Sequence, residues 1–235
     1  MDFSDVESPN IRKPILVAAM QDMGNIGSIA IHLINKNFNT LPFRYVSACY
    51  PNYVIDKGGH IEFQQERWEY RYGKDIIVFG GGLGQPQTNE ELYKLCQDVI
   101  DIAKKYSVQL IYTVGAFRTD RELEKKPRTM VTTTSEALTE QIKKLGIETT
   151  PSSSLITGFN GLILGFAKIN NLQAIGLYAE INDPQIPQYR SAKSVLQLLE
   201  KLTYQKFKDL EELDVMGEAV DNEIERLKKS GDTYT

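Results

Sequence analysis

The sequence predicts an α/β protein, a three-layer α/β/α sandwich around a mostly parallel central sheet. Three observations lead there. Apolar runs too short for helices recur along the chain, as in Ile15-Leu16-Val17-Ala18 and Ile76-Ile77-Val78-Phe79. Such runs fit strands buried on both faces. Segments with apolar residues at helical spacing follow them, and two of these open on capping boxes. Strands that alternate with capped helices form βαβ units, whose crossovers cover both faces of a parallel sheet. At 235 residues the chain is long for one domain and short for two, and it buries enough surface to need no metal or disulfide.

Residues 14–20 read as the first strand. Gly24-Asn25-Ile26-Gly27 then turns the chain into a helix that runs to about Asn37, with Ile29, Leu33 and Ile34 on its apolar face. Residues 43–49 are the next strand. Segments 53–55 and 61–63 flank the turn signal Lys57-Gly58-Gly59 and predict a hairpin. From Arg67 onward, Trp68, Tyr70 and Tyr72 alternate with Glu69 and Arg71, the period-two pattern of a half-exposed strand. Residues 75–79 form the clearest central strand and end in Gly80-Gly81-Gly82.

Thr88 with Glu91 is the first capping box, and Leu92, Leu95, Cys96, Val99, Ile102 and Tyr106 make the stripe of its helix. Residues 108–114 and 129–132 follow as strands. Thr133 with Glu136 reads as the second capping box, for a helix faced by Leu138, Ile142 and Leu145. Residues 158–169 predict an apolar buried helix whose Gly158, Gly161 and Gly165 permit close packing. After a strand over 172–178, the chain is helical from Ser191 to about Lys229, interrupted near 209–214. The expected organisation is a sandwich domain over 1–209, an amphipathic helix over 210–229 and a flexible tail over 230–235. Leu213, Met216, Val220, Ile224 and Leu227 share one stripe of that last helix.

Charge narrows the function classes. A net charge of −4 repels phosphate backbones, which argues against nucleic-acid binding. The densest basic group, Arg118, Arg121, Lys125, Lys126 and Arg128, is interleaved with Asp120, Glu122 and Glu124 and reads as a solvated loop. Cys49 and Cys96 stand in no metal spacing and read as buried thiols of a reduced compartment. The acidic start of the chain has no apolar run of a signal peptide, and no stretch has the length of a membrane span, so a cytoplasmic location is expected.

Catalytic patterns are missing from the sequence. His32 and His60 belong to no zinc motif, and neither a nucleophile elbow nor a phosphate-loop lysine occurs. The expectation is therefore no catalytic residue, cofactor or metal. The glycine turns at Gly24–Gly27 and Gly80–Gly84 each lie between a strand and a helix, where backbone amides can meet an anion or simply make a tight turn. The chain ends in Thr233-Tyr234-Thr235 after a break at Ser230-Gly231-Asp232. A tyrosine next to the final residue, with a free carboxylate, has the chemistry of a docking tip: a rigid ring for a pocket and a charge for a lysine.

Four segments resemble the proteasome-assembly chaperone family, in the archaeal type related to the second subunit of the eukaryotic chaperone. They are Val17-Ala18-Ala19-Met20 through Met23-Gly24-Asn25-Ile26-Gly27; Ile76-Ile77-Val78-Phe79-Gly80-Gly81; Ile156-Thr157-Gly158-Phe159-Asn160-Gly161-Leu162-Ile163-Leu164; and Leu177-Tyr178-Ala179-Glu180 with Ala192-Lys193-Ser194-Val195-Leu196. Together they span roughly residues 14–200. The third is the most specific. Family members often carry Pro-Gly where this chain has Asp22-Met23.

The resemblance implies a sandwich similar to nucleoside phosphorylases without their catalytic groups. It also implies homo-oligomers that assist assembly of the proteasome core without ATP. Some members end in a hydrophobic–tyrosine–any-residue motif that docks between proteasome α-subunits. Tyr234 and the carboxylate of Thr235 match it, and Thr233 replaces the hydrophobic residue. The expected partners are thus proteasome core α-subunits, reached through Thr233, Tyr234 and Thr235, and other copies of the chain. The aromatic row Trp68, Tyr70 and Tyr72 is a candidate oligomer face, or else packs on the protein's own helices. The alternative is a nucleoside- or phosphate-binding enzyme of the phosphorylase–hydrolase type, with the glycine turns for phosphate and Arg118 or Arg128 as an anion clamp. A third reading is a scaffold for an amine-ligase-like enzyme.

Overall fold

The structure, a computed structural model, describes residues 1–48, 54–63, 67–81, 84–86, 88–121, 123, 126–151, 153 and 155–230. Ten strands and six α-helices occur among them: β1 (Asp2–Asp5), β2 (Ile15–Ala18), α1 (Ile26–Phe38), β3 (Leu41–Ser47), β4 (Ile55–Asp56), β5 (Ile61–Glu62), β6 (Arg67–Gly73), β7 (Ile76–Gly80), α2 (Asn89–Lys105), β8 (Ile111–Arg118), β9 (Thr129–Thr133), α3 (Glu136–Lys144), α4 (Phe159–Ile169), β10 (Ala174–Ile181), α5 (Tyr189–Thr203) and α6 (Glu212–Ser230).

Eight strands form one sheet in the order β1-β3-β6-β7-β2-β8-β10-β9, and β4 with β5 makes the small hairpin. The sheet is mixed, which corrects the expectation of a mostly parallel one. Its centre, β7-β2-β8-β10, is parallel, whereas β1–β3, β3–β6, β6–β7 and β10–β9 pair antiparallel. The reason is connection length. Lys74 and Asp75 alone join β6 to β7, and so short a turn can only send the chain back on itself, whereas a parallel neighbour requires a crossover. Strand β1 escapes an apolar-run reading because all of its residues are exposed.

Alternation along β2 sends Val17 to one face of the sheet and Leu16 and Ala18 to the other. Val17 joins a core with Ile34 of α1, Leu138 of α3, Val195 of α5 and Leu213 of α6. Leu16 joins a second core with Leu95 of α2, Ile163 of α4 and Trp68, Tyr70 and Phe79 of the sheet. Helices therefore flank the sheet on both faces. Trp68 and Tyr70 are fully buried, so they pack inside the subunit and offer no oligomer face. β6 lies between β3 and β7, where α2 covers its aromatic side. Tyr70 donates to Asp98 Oδ2 at 2.7 Å, and Trp68 Nε1 donates to the Gly84 carbonyl at 3.0 Å.

The first capping box forms as expected, with the Glu91 amide donating to Thr88 Oγ1 at 3.2 Å. The second does not. Ser135, two residues later, caps α3 by accepting from the Leu138 amide, while Thr133 completes β9. Cys96 is buried in the second core, and burial pushes its thiol up to about 12. Cys49 lies outside the described residues. No described helix is long and apolar enough to cross a membrane.

Candidate functional site

Two places combine geometry with chemistry. The first lies beyond the carboxyl ends of the parallel strands. β2 leads through α1 and the antiparallel arm to β7 on one side of it, and β8 enters on the other side. The two helices that follow β2 and β7 lie on opposite faces, so this is the topological switch point where open α/β sheets form a crevice. The crevice here is a cavity of about 680 Å³, lined by Asp22 and Met23 after β2, Gln85 after β7, Gly115–Arg118 of β8, Tyr178 of β10 and residues 155–158 before α4.

Asp22 anchors its wall. Its Oδ1 accepts from the Gly27 amide at 2.9 Å, which places a carboxylate at the start of α1. Its Oδ2 is shielded from solvent, beside the Gly115–Ala116 backbone of β8. Loss of hydration disfavours the charged form, and the carboxyl is pushed up to about 7. Asn160 clasps the neighbouring loop: its Oδ1 accepts from the Met20 amide at 3.1 Å, and its Nδ2 donates to the Met20 carbonyl at 3.3 Å. Tyr178 donates to the Asn160 carbonyl at 3.3 Å. The Gly158-Phe159-Asn160-Gly161 segment is thus a fastener between α4 and the loop after β2. Gly158 adopts φ +72°, and a methyl group at Gly161 would come 2.6 Å from the Ile156 carbonyl. Gly165 faces open space, so it serves no close packing.

The first glycine turn is already occupied. The Gly24 amide donates to the Pro184 carbonyl, the Asn25 amide to Asp22 O and the Gly27 amide to Asp22 Oδ1. A phosphate there would displace bonds and face a carboxyl group. Gly80 packs its backbone against Ala19 and Ile31, while Gly82 and Leu83 lie outside the described residues. The two proposed clamp arginines separate. Arg128 is engaged with Glu180, and Arg118 lines the cavity with a 3.9 Å contact to Asp120.

Sequence reading named Glu180 only as the end of a motif and gave it no role. It is buried to 0% exposure near the end of β10. Arg121 reaches both its carboxylate oxygens at 2.7 Å, and Arg128 adds its amide at 2.8 Å and its Nε at 3.3 Å. Burial alone would raise this acid, but the two arginines hold it below the usual glutamate range. The basic cluster is therefore no simple solvated loop, because two of its members lock onto the core. Lys125, Glu122 and Glu124 lie outside the described residues.

The second place is the C-terminal helix. α6 packs on α5, with Leu213 and Gly217 buried. Lys193–Asp214 at 2.5 Å and Arg190–Asp221 at 2.6 Å tie it to α5, and Lys36–Glu212 at 3.0 Å ties it to α1. Farther along, Glu223–Arg226 and Glu225–Lys229 run along the helix itself. Met216 departs from the expected buried stripe at 46% exposure, beside Val215 at 67%. A groove of about 430 Å³ between α1 and α6 is lined by Ile29, His32, Leu33, Tyr189, Leu213 and Met216. His32 and His60 are both exposed. Thr233, Tyr234 and Thr235 lie outside the described residues. No group of three or more His, Cys, Asp or Glu side chains that could hold a metal occurs among the described residues.

A mixed α/β sheet with helices on both faces and a cavity at its switch point defines the class. The chain belongs to the PAC2 family, whose profile matches residues 16–228, and this is the family to which the four segments pointed. An uncharacterised protein of Methanocaldococcus jannaschii is 27% identical over 229 residues, covering 93% of this chain and 84% of that protein. Two solved structures from Pyrococcus furiosus share the fold. PbaB, an archaeal proteasome activator, superimposes with a TM-score of 0.83 at 21% identity, covering 97% of this chain and 98% of its own. PbaA, an archaeal homologue of proteasome-assembly chaperone, gives 0.77 at 18% identity, covering 97% of both chains.

Proposed function

We propose that this chain is a proteasome-binding protein of the assembly-chaperone type, which acts as a homo-oligomer through surface complementarity and without ATP or catalysis. Its contact with the proteasome core α-subunits runs through the tail Thr233-Tyr234-Thr235. The family and the fold shared with PbaB and PbaA support this reading. The observation that carries it in this chain is α6, a helix fixed to the sandwich by Lys193–Asp214, Arg190–Asp221 and Lys36–Glu212. A helix so anchored gives the residues after Ser230 a defined origin, which reduces the entropy lost when a short tail binds. Val215 and Met216, exposed on α6, support the oligomeric part of the reading.

The test is a pull-down of the source organism's proteasome α-subunits with the intact chain and with a chain lacking 233–235. Binding that falls with the deletion is the expected result. Binding that survives it moves the contact onto the folded body and overturns the role of Tyr234. Failure of both chains to bind overturns the proposal.

A further inference from the structure

We infer that the cavity at the switch point is a binding site for an amphipathic monocarboxylate, one carboxylate on an apolar body, with the acid group on Arg118. This site is separate from the tail and independent of the proteasome reading. Three observations carry it. The cavity, about 680 Å³, has the size of small-molecule sites and lies where α/β sheets place them. Its walls are largely apolar, with Met23, Phe117, Met130, Leu155 and Ile156 among them, and Met23 and Leu155 are 44% and 95% exposed at its rim. On the same wall stands a cation, Arg118, whose one ion pair among the described residues is a long contact to Asp120.

The neighbouring arginines are committed. Arg121 and Arg128 both bind the buried carboxylate of Glu180, at 2.7 and 3.3 Å. The Arg118–Asp120 contact is 3.9 Å long, and its side chains are 64% and 98% exposed, so water screens the pair and it is worth little. The Arg118 guanidinium keeps its fork of donors, which matches the two oxygens of a carboxylate. The acid already at the cavity does not compete for it. Asp22 gives Oδ1 to the Gly27 amide and holds Oδ2 against the Gly115–Ala116 backbone, shut away from solvent. The neutral polar groups are spent as well. Asn160 is bonded at both ends of its amide to Met20, Gln85 Oε1 accepts from the Phe159 amide, and the Tyr178 hydroxyl donates to the Asn160 carbonyl.

Strand β8 sets the length of the ligand. Gly115, Ala116, Phe117 and Arg118 line the cavity in succession, and three steps along a strand span about 10 Å. A carboxylate on Arg118 can therefore lay an apolar body of that length along the strand towards Gly115, against Phe117, Met130 and Ile156. Burial of the body supplies affinity, and the arginine fixes its orientation. Inorganic phosphate fits worse, because the cavity offers it one cation and no described lysine, and its apolar walls give such an ion nothing. An ammonium group would meet a like charge at Arg118.

The experiment titrates the intact chain with octanoate, 1-octanol, octylamine and inorganic phosphate, followed by amide and methionine-methyl NMR shifts. The expected result is that octanoate shifts the Ala116 amide and the Met23 and Met130 methyls. It should bind about tenfold more tightly than octanol, the gain of a charge-assisted pair. Octylamine binds no better than octanol, and phosphate produces no shift. Arg118→Gln lowers octanoate affinity to that of octanol and leaves octanol binding as it was. Arg118→Lys, which keeps the charge and loses the fork, falls between. Four results would overturn the inference: no shift with octanoate, octanol or octylamine binding as tight as octanoate, phosphate binding as tight as octanoate, or unchanged octanoate affinity in a folded Arg118→Gln chain. The comparison of the four probes on the unaltered chain stands even where a variant is unstable, and its failure leaves the proteasome pull-down untouched.

Discussion

Replacing Asp22 by Asn separates the cost of burying a charge from the structural role of the side chain. Asn keeps an oxygen for the Gly27 amide, so the start of α1 retains its partner. The change removes ionisation. In the unfolded chain Asp22 loses its proton near 3.8, and in the folded chain near 7. Between these values the folded state holds more protons than the unfolded state. Its stability must therefore fall as pH rises across that window and level off above it. A shift of that size at 1.36 kcal/mol per unit corresponds to about 4 kcal/mol as an upper bound. Against this, the new Nδ2 donor is buried where an acceptor oxygen stood and costs about 1–3 kcal/mol at every pH.

The variant should thus be the less stable form near pH 4 and gain steadily on the parent towards pH 8. The change in their difference approaches about 4 kcal/mol, or roughly 8–16 °C in Tm for a chain of this length. Urea unfolding of both chains at a series of pH values measures that difference, and the other ionisations cancel in it. Parallel pH profiles for the two chains would refute the reasoning, because they would mean that Asp22 titrates in the folded protein as it does in water.

Glu180→Gln leaves Arg121 and Arg128 without their shared charge, and both arginines are partly solvated, so the loss should be about 1–3 kcal/mol. Glu180 is held below its ordinary range, so its contribution is present above that range and lost as pH falls through the folded pKa; equilibrium unfolding should show the parent and variant converging in acid. Gly27→Ala places a methyl carbon 2.3 Å from the Met20 carbonyl oxygen, an atom fixed by Asn160. A loss of at least about 1–3 kcal/mol in urea unfolding is expected, with a disturbed cavity, and an unchanged midpoint would refute the close approach.

The elements were legible where local chemistry decides them. The apolar runs at β2 and β7, the Thr88 cap of α2 and the glycine entry to α4 each announce themselves within a few residues. The cap of α3 was misplaced because Thr133, Thr134 and Ser135 all have hydroxyls. Spacing points to Thr133 with Glu136, but Thr133 is already paired with Ile175 in the sheet, so Ser135 is left to cap. Trp68 and Tyr70 read as half-exposed because alternation reports that a strand has two faces, while the depth of each face is set by what later packs on it.

The candidate site was the least legible part. Asp22 appeared in the sequence only as a departure from the family's usual Pro-Gly, and Glu180 only as the end of a motif. Neither lies near its partners along the chain. Gln85, Gly115, Asn160 and Tyr178 reach the cavity from four separate elements, and Arg121 and Arg128 reach Glu180 across more than fifty residues. By itself the sequence determined the family, the order of strands and helices after β1 and the segments that cross the core, because periodicity and turn chemistry act over a few residues. Only the tertiary structure decided that the sheet is mixed, that the first glycine turn is filled and that the Asp22 carboxyl is shut away from water. Those outcomes depend on which distant groups share a low-dielectric space, and hydrogen-bond satisfaction is counted there.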